Sequence, residues 1–306
     1  MILFQQMIVL FIFMGIGFYC GKKGFIGDSS AKTLSFIVVN IANPAMILNA
    51  GLSDERAIQG KELVFMFLLA IGVFAFLILL GYLIPVILRV PADDVGPYKV
   101  MIIFNNIGFM GFPILQAAYG PQSLLYASLF LFPFNVLIYT YGIACMQKKG
   151  KDNGSFDLSK VINIGTIACA VSLVIYVVGI PVPDFLKTTA QSLSGLTGPL
   201  SMMVIGQSMI HMKVKEVFGD IRLFIFSLIK LVAIPIVGIF ILKLFITDAL
   251  ILNVCYIMLA TPVASMAAML AQQFDGDYKL ASKGVALTTI LSVITIPLVS
   301  LIIFGA

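Results

Sequence analysis

Charge is what this sequence lacks most. Asp, Glu, Lys and Arg make up 11% of its 306 residues, against about 25% in soluble domains. A chain so poor in charge cannot cover a water-facing surface, so the solvent for most of it is lipid. The four cysteines, Cys20, Cys145, Cys169 and Cys255, lie in separate apolar stretches without paired spacing. That excludes a disulfide framework and a zinc site and leaves them as packed thiols. All fourteen Asp and Glu residues fall in loops or at the ends of apolar runs. No carboxylate is therefore placed at mid-membrane to carry a proton or ligate a cation. This counts against a cation antiporter with a buried aspartate pair, and leaves coupling through neutral oxygens or Lys230 open. The first twenty residues have no basic leading segment and no small-residue cleavage site, and Lys22 and Lys23 follow them. A retained first helix is expected rather than a cleaved signal.

What is present is apolar: 60% hydrophobic residues, with a mean hydropathy of +1.09. Crossing a bilayer takes about 20 apolar residues. Suitable runs occur at 2–20, 34–50, 63–88, 100–118 and 124–146, then at 161–178, 188–212, 224–245, 250–272 and 281–304. We number these spans 1 to 10. The fold class expected is an all-α membrane protein of ten transmembrane helices. Fourteen of the nineteen Lys and Arg residues lie in the connections after spans 1, 3, 5, 7 and 9, and four in the others. The richer side faces the cytoplasm, which puts both termini outside. The net charge of +5 belongs to these short loops and suits anionic lipid headgroups rather than nucleic acid.

The two halves echo each other at an offset of 155 residues. Asn43-Pro44 matches Gly198-Pro199, and Asn106 falls on Thr261, beside Pro262. Five spans per half is an odd number, so the second half enters the membrane upside down. The expected organisation is a first repeat at 1–146, a cytoplasmic linker at 147–159 and an inverted second repeat at 160–306, the plan of many secondary transporters.

Spans 4 and 9 are poor continuous helices. Span 4 carries Asn105, Asn106, Gly108, Gly111 and Pro113 within nine residues; span 9 carries Thr261, Pro262 and Ser265. Proline removes an amide donor and glycine frees the backbone. Irregular backbone at membrane depth survives where it lines a cavity or is buried in protein. Two such breaks in inverted halves point to a central binding site. Helix N-termini near Pro113 and Ser265, converging on one cavity, would favour an anion. Asn105, Asn106 and Thr261 can supply hydrogen bonds to it, or can instead satisfy backbone groups freed by the breaks. Asn43, Gly111 and Pro262 complete the candidate set.

Lys230 stands inside span 8, where a lysine costs at least a few kcal/mol without a partner. It has three readings: contact with a substrate carboxylate, neutralisation of the negative half-helix ends, or snorkelling to the interface. An enzyme is disfavoured. Gly206-Gln207-Ser208-Met209 looks like a membrane serine-protease motif near His211, but both residues share one helix end with no independent base. Neither a metal nor another cofactor is implied. A channel is the harder alternative, since broken helices also line pores.

Asn106 through Pro113, continuing to Tyr119-Gly120, together with Thr261-Pro262, Gln272 through Asp277, Leu280-Ala281-Ser282 and Ser292 through Pro297, resemble the auxin efflux carrier family. The similarity is to its bacterial branch of malonate and malate permeases, and it covers essentially the whole chain. It implies a fold shared with bile-acid symporters and sodium/proton antiporters. Helices 1, 2, 6 and 7 would form a scaffold, and a transport domain would carry the crossover of helices 4 and 9. Alternating access would be an elevator-like or rocking motion. Asn106 and Pro113 match the family's substrate-site asparagine and crossover proline. The substrate implied is a small organic anion such as malonate or malate, with H+ or Na+ as candidate coupling ion and a homodimer through the scaffold face. Plant members have a long polar central loop that this chain lacks, so an auxin-like indole carboxylate is the secondary expectation.

Overall fold

The computed structural model describes residues 2–52, 60–146, 164–211, 219–274 and 276–305. The linker 147–159, the first three residues of span 6, the last of span 7 and Asp275 lie outside the described residues. Helices occupy most of the rest: α1 Ile2–Lys22, α2 Asp28–Gly51, α3 Gly60–Ile87, α4 Val95–Ile103, α5 Ile107–Tyr119, α6 Pro121–Met146, α7 Ile164–Val178, α8 Asp184–Ser194, α9 Thr197–Ser208, α10 Ile221–Leu242, α11 Ala249–Ala260, α12 Ser265–Gln273 and α13 Tyr278–Phe304. Six of them are long and apolar enough to cross a membrane: α1 from Phe4, α2, α3, α6, α10 and α13.

Helices α10, α11 and α13 start ahead of the apolar runs that announce them, by three, one and three residues. The reason is capping by aspartate. Asp220 accepts a hydrogen bond from the Leu223 amide at 3.1 Å, Asp248 from Ile251 at 2.9 Å and Asp277 from Leu280 at 2.9 Å. Each cap satisfies an amide that has no intrahelical partner, and explains why these carboxylates sit at helix ends.

Burial separates core from periphery. Val100 to Ile103 on α4 and Val254 to Ala260 on α11 are buried throughout. Only a third of the apolar window of α3 is buried, and Val64, Leu68 and Val86 stand exposed along it. In water such a face would be a liability; in a bilayer it is the natural surface. The molecule is thus a multi-pass helical membrane protein with α4, α5, α11 and α12 at its centre.

Three helix pairs touch backbone to backbone, one of them α4 with α6, where a Cβ on Gly96 would lie 1.9 Å from the Cys145 carbonyl oxygen. A Cβ on Gly206 of α9 would lie 1.9 Å from the Met14 carbonyl oxygen of α1, and one on Gly51 of α2 would lie 2.3 Å from the Ser172 hydroxyl of α7. Only glycine permits these approaches, which bring α1 against α9 and α7 against α2.

Candidate functional site

Spans 4 and 9 are each broken into two helices, α4 and α5, α11 and α12. The breaks lie side by side. Residues 104–106 and 262–264 pair antiparallel, through a bridge between Asn105 and Val263. The Asn106 amide donates to the Pro262 carbonyl at 2.8 Å, and the Ala264 amide donates to the Phe104 carbonyl at 2.9 Å. Amides and carbonyls orphaned by one break are thus satisfied by the other, as a low-dielectric interior demands.

The first break lies at 104–106, about two turns before Pro113, where the sequence suggested a helix start. Asn106 caps α5, its Oδ1 accepting from the Phe109 amide at 3.2 Å. Pro113 sits within α5, just beyond a wide turn at Ile107–Gly111. The proline does have a consequence. It cannot donate to the carbonyl four residues back, at Phe109, and the Ser201 hydroxyl of α9 does so instead at 2.8 Å. Pro262 acts likewise: it leaves the Met258 carbonyl without its helical donor, and the Asn105 side-chain amide supplies one. Asn105 Nδ2 also reaches the Leu259 carbonyl at 3.4 Å.

Lys230 completes this arrangement. It lies in a wide turn of α10 and is completely buried. Its ammonium donates to the Ile102 carbonyl, in the last turn of α4, and to Asn105 Oδ1. It points inward, so it does not snorkel. Lys230 and Asn105 together serve the C-terminal ends of both α4 and α11.

The antiparallel pairing also sets where the helix dipoles fall. The N-terminus of α12 lies beside the C-terminus of α4, and that of α5 beside the C-terminus of α11. This differs from the expectation of two N-termini facing one cavity alone, because opposite ends meet in pairs.

Asn106 and Thr261 remain incompletely satisfied. Asn106 is 4% exposed and Thr261 not at all, yet Asn106 Nδ2 and the Thr261 hydroxyl have no partner among the described residues. An unmet buried polar group costs about 1–3 kcal/mol, so a ligand that meets it gains affinity. Thr261 and Gly111 lie together, since a Cβ on Gly111 would be 3.5 Å from the Thr261 methyl and 3.1 Å from the Met258 methyl. On the flank, Asn43 Nδ2 lies 3.2 Å from where a Gly108 Cβ would be, and Gly198 faces Pro113. Asn43 Oδ1 is likewise without a partner. Ser265 is half-buried at the start of α12, whose N-terminus has no side-chain cap.

Of the candidate residues, then, Asn105, Asn106, Gly111, Thr261, Pro262 and Lys230 meet at the crossover. Pro113 and Asn43 border it from the α9 and α2 sides. Sequence reasoning missed Ser201 and Thr288. Thr288 accepts from the Val263 amide at 3.1 Å, fixing the second break. The signal available was a hydroxyl residue inside an otherwise apolar span. Ser208 of the protease-like motif directs its hydroxyl to the Ile205 carbonyl of its own helix, at 2.7 Å.

A multi-pass helical protein with two broken helices joined at their breaks, and unmet polar groups there, has the build of a membrane transporter. The family model described as "Membrane transport protein" matches residues 2–160 and 153–300. The chain belongs to that family, the auxin efflux carrier family. It is 25% identical to an uncharacterized transporter of Methanocaldococcus jannaschii, over 97% of this chain and 98% of the relative. It is 22% identical to an uncharacterized transporter of Methanothermobacter thermautotrophicus, over 98% of each.

Proposed function

We propose that this protein is a secondary active transporter that moves a small organic anion, a mono- or dicarboxylate such as malonate or malate, across the cytoplasmic membrane by alternating access. The observation that carries the proposal is the antiparallel pairing of the two breaks beside the unpartnered amide of Asn106 and hydroxyl of Thr261. In this reading those groups and the amides at the start of α12 bind the carboxylate, while Asn43, Gly111 and Pro113 shape the space around it. A protonated Lys230 behind the crossover would favour an anion in front of it.

Ten crossings in two inverted repeats, 1–146 and 160–306, fit the close contacts described above. Gly51 and Gly206 are separated by the repeat offset of 155 residues, and so are Gly17 and Ser172. Gly206 packs on α1 beside Gly17, and Gly51 packs on Ser172 of α7. In this reading the two contacts would be related by the repeat. Alternating access would move the crossover helices against the framework of α1, α2, α7 and α9. The hydrogen bonds from Ser201 to Phe109 and from Ser194 to Gln116 (3.3 Å) would be remade as α5 shifts. A proton or sodium gradient would drive the cycle, and both termini would lie on the extracytoplasmic side.

The test is uptake by the purified protein in liposomes, using labelled malonate and malate within a panel of organic anions, with and without proton and sodium gradients. Saturable uptake of one acid, accelerated by the same acid on the far side, is the expected result. Ohmic conduction without such counterflow would instead indicate a channel.

A further inference from the structure

The sequence left Lys230 with three readings, contact with a substrate carboxylate, neutralisation of the negative half-helix ends or snorkelling, and the geometry develops the second of them. We propose that Lys230 is a positioning residue for transport: through Asn105 it clamps the C-terminal ends of α4 and α11 together, and it sets the positive sign of the anion site without touching the anion. This rests on the anion-transport reading given above.

Four observations lead there. The hydrogen bonds of the ammonium go to Ile102, in the last turn of α4, and to Asn105, within the first break. Asn105 passes the connection on to the carbonyls of Met258 and Leu259, at the end of the other first half-helix. The four half-helix ends meet in opposite-signed pairs, so their partial charges largely offset one another at the crossover. Finally, Asp220, Asp248 and Asp277 are held at helix starts as caps, and the Glu62 carboxylate accepts from the Tyr126 hydroxyl at the start of α3. Among the described residues, Lys230 is therefore the basic group joined to the crossover by hydrogen bonds. A buried lysine held by neutral oxygens, rather than by a carboxylate, has no counter-charge of its own, so a bound anion would stabilise its protonated form.

The experiment compares wild type with Lys230→Gln and Lys230→Arg as full-length protein in nanodiscs. Binding of malonate is measured beside that of its uncharged counterpart malonamide, and hydrogen exchange is followed at residues 102–112 and 257–268. For Lys230→Gln, malonate affinity should fall about tenfold while malonamide affinity stays level, and both segments should exchange faster together. Lys230→Arg should keep malonate affinity within about threefold of wild type, because the charge remains, while its bulkier head slows transport. Equal loss for both probes, or no loss for either, overturns the electrostatic role. Unchanged exchange in the two segments overturns the clamp. If the glutamine variant does not fold, loss of malonate affinity in the arginine variant overturns the proposal by itself. If wild type binds neither probe, the anion reading fails, and the exchange data still decide the clamp.

Discussion

Asn105 engages both ends of its amide with protein groups, Lys230 on one side and the carbonyls of Met258 and Leu259 on the other. Asn106, next in the chain, has an oxygen engaged as a helix cap and a nitrogen with no partner among the described residues. The two asparagines should therefore respond differently to substitution. Asn106→Ala loses a cap, worth about 1 kcal/mol, and should stay folded while uptake disappears. Asn105→Ala leaves buried carbonyls and an ammonium unmatched, and should lower stability by about 3 kcal/mol or more. Thermal unfolding in detergent, set beside uptake in liposomes, checks both. Wild-type uptake by Asn106→Ala would remove it from the site. The sequence made both residues legible as polar groups at a break, but it could not divide the work between them. Proline predicts that the Met258 carbonyl loses its helical donor. It does not predict which side chain, some 150 residues away in the chain, supplies the replacement.

Among the elements, α1, α3, α6, α10 and α13 follow apolar runs 1, 3, 5, 8 and 10 to within a turn, because a bilayer selects for length and hydropathy alone. Spans 4 and 9 were legible as broken from their Pro, Gly and Asn content. The position of the first break was less so, since Pro113 drew the eye and Asn106 made the cap. The wide turn at Ile107–Gly111 and the hydroxyl of Ser201 let α5 keep its proline. Ser201→Ala should accordingly loosen α5 at a cost of about 1–2 kcal/mol, read as faster hydrogen exchange at 107–113 with little change elsewhere. The pairing of α1 with α9 rests on glycine rather than on apolar surface, which lipid would satisfy equally well. Gly206→Leu should therefore separate these helices and reduce folded yield in detergent, measured by size-exclusion chromatography. A monodisperse, fully stable Gly206→Leu variant would contradict that packing.

For the molecule as a whole, composition alone excluded a soluble domain, and the matching of the chain to a membrane transport family agrees. What composition could not reveal is that the two breaks form one structure, because an antiparallel contact between residues 105 and 263 leaves no local trace in either segment. The transporter proposed above stands or falls on whether this joined crossover binds an organic anion and delivers it across the membrane. The most direct test is counterflow: liposomes holding the purified protein are loaded with unlabelled malonate, and entry of labelled malonate is followed over time. The account predicts rapid, saturable accumulation that vanishes in Asn106→Ala and is weaker in liposomes without internal malonate. No entry of malonate, malate or any other organic anion in the panel, with folded protein and sealed vesicles, would contradict it.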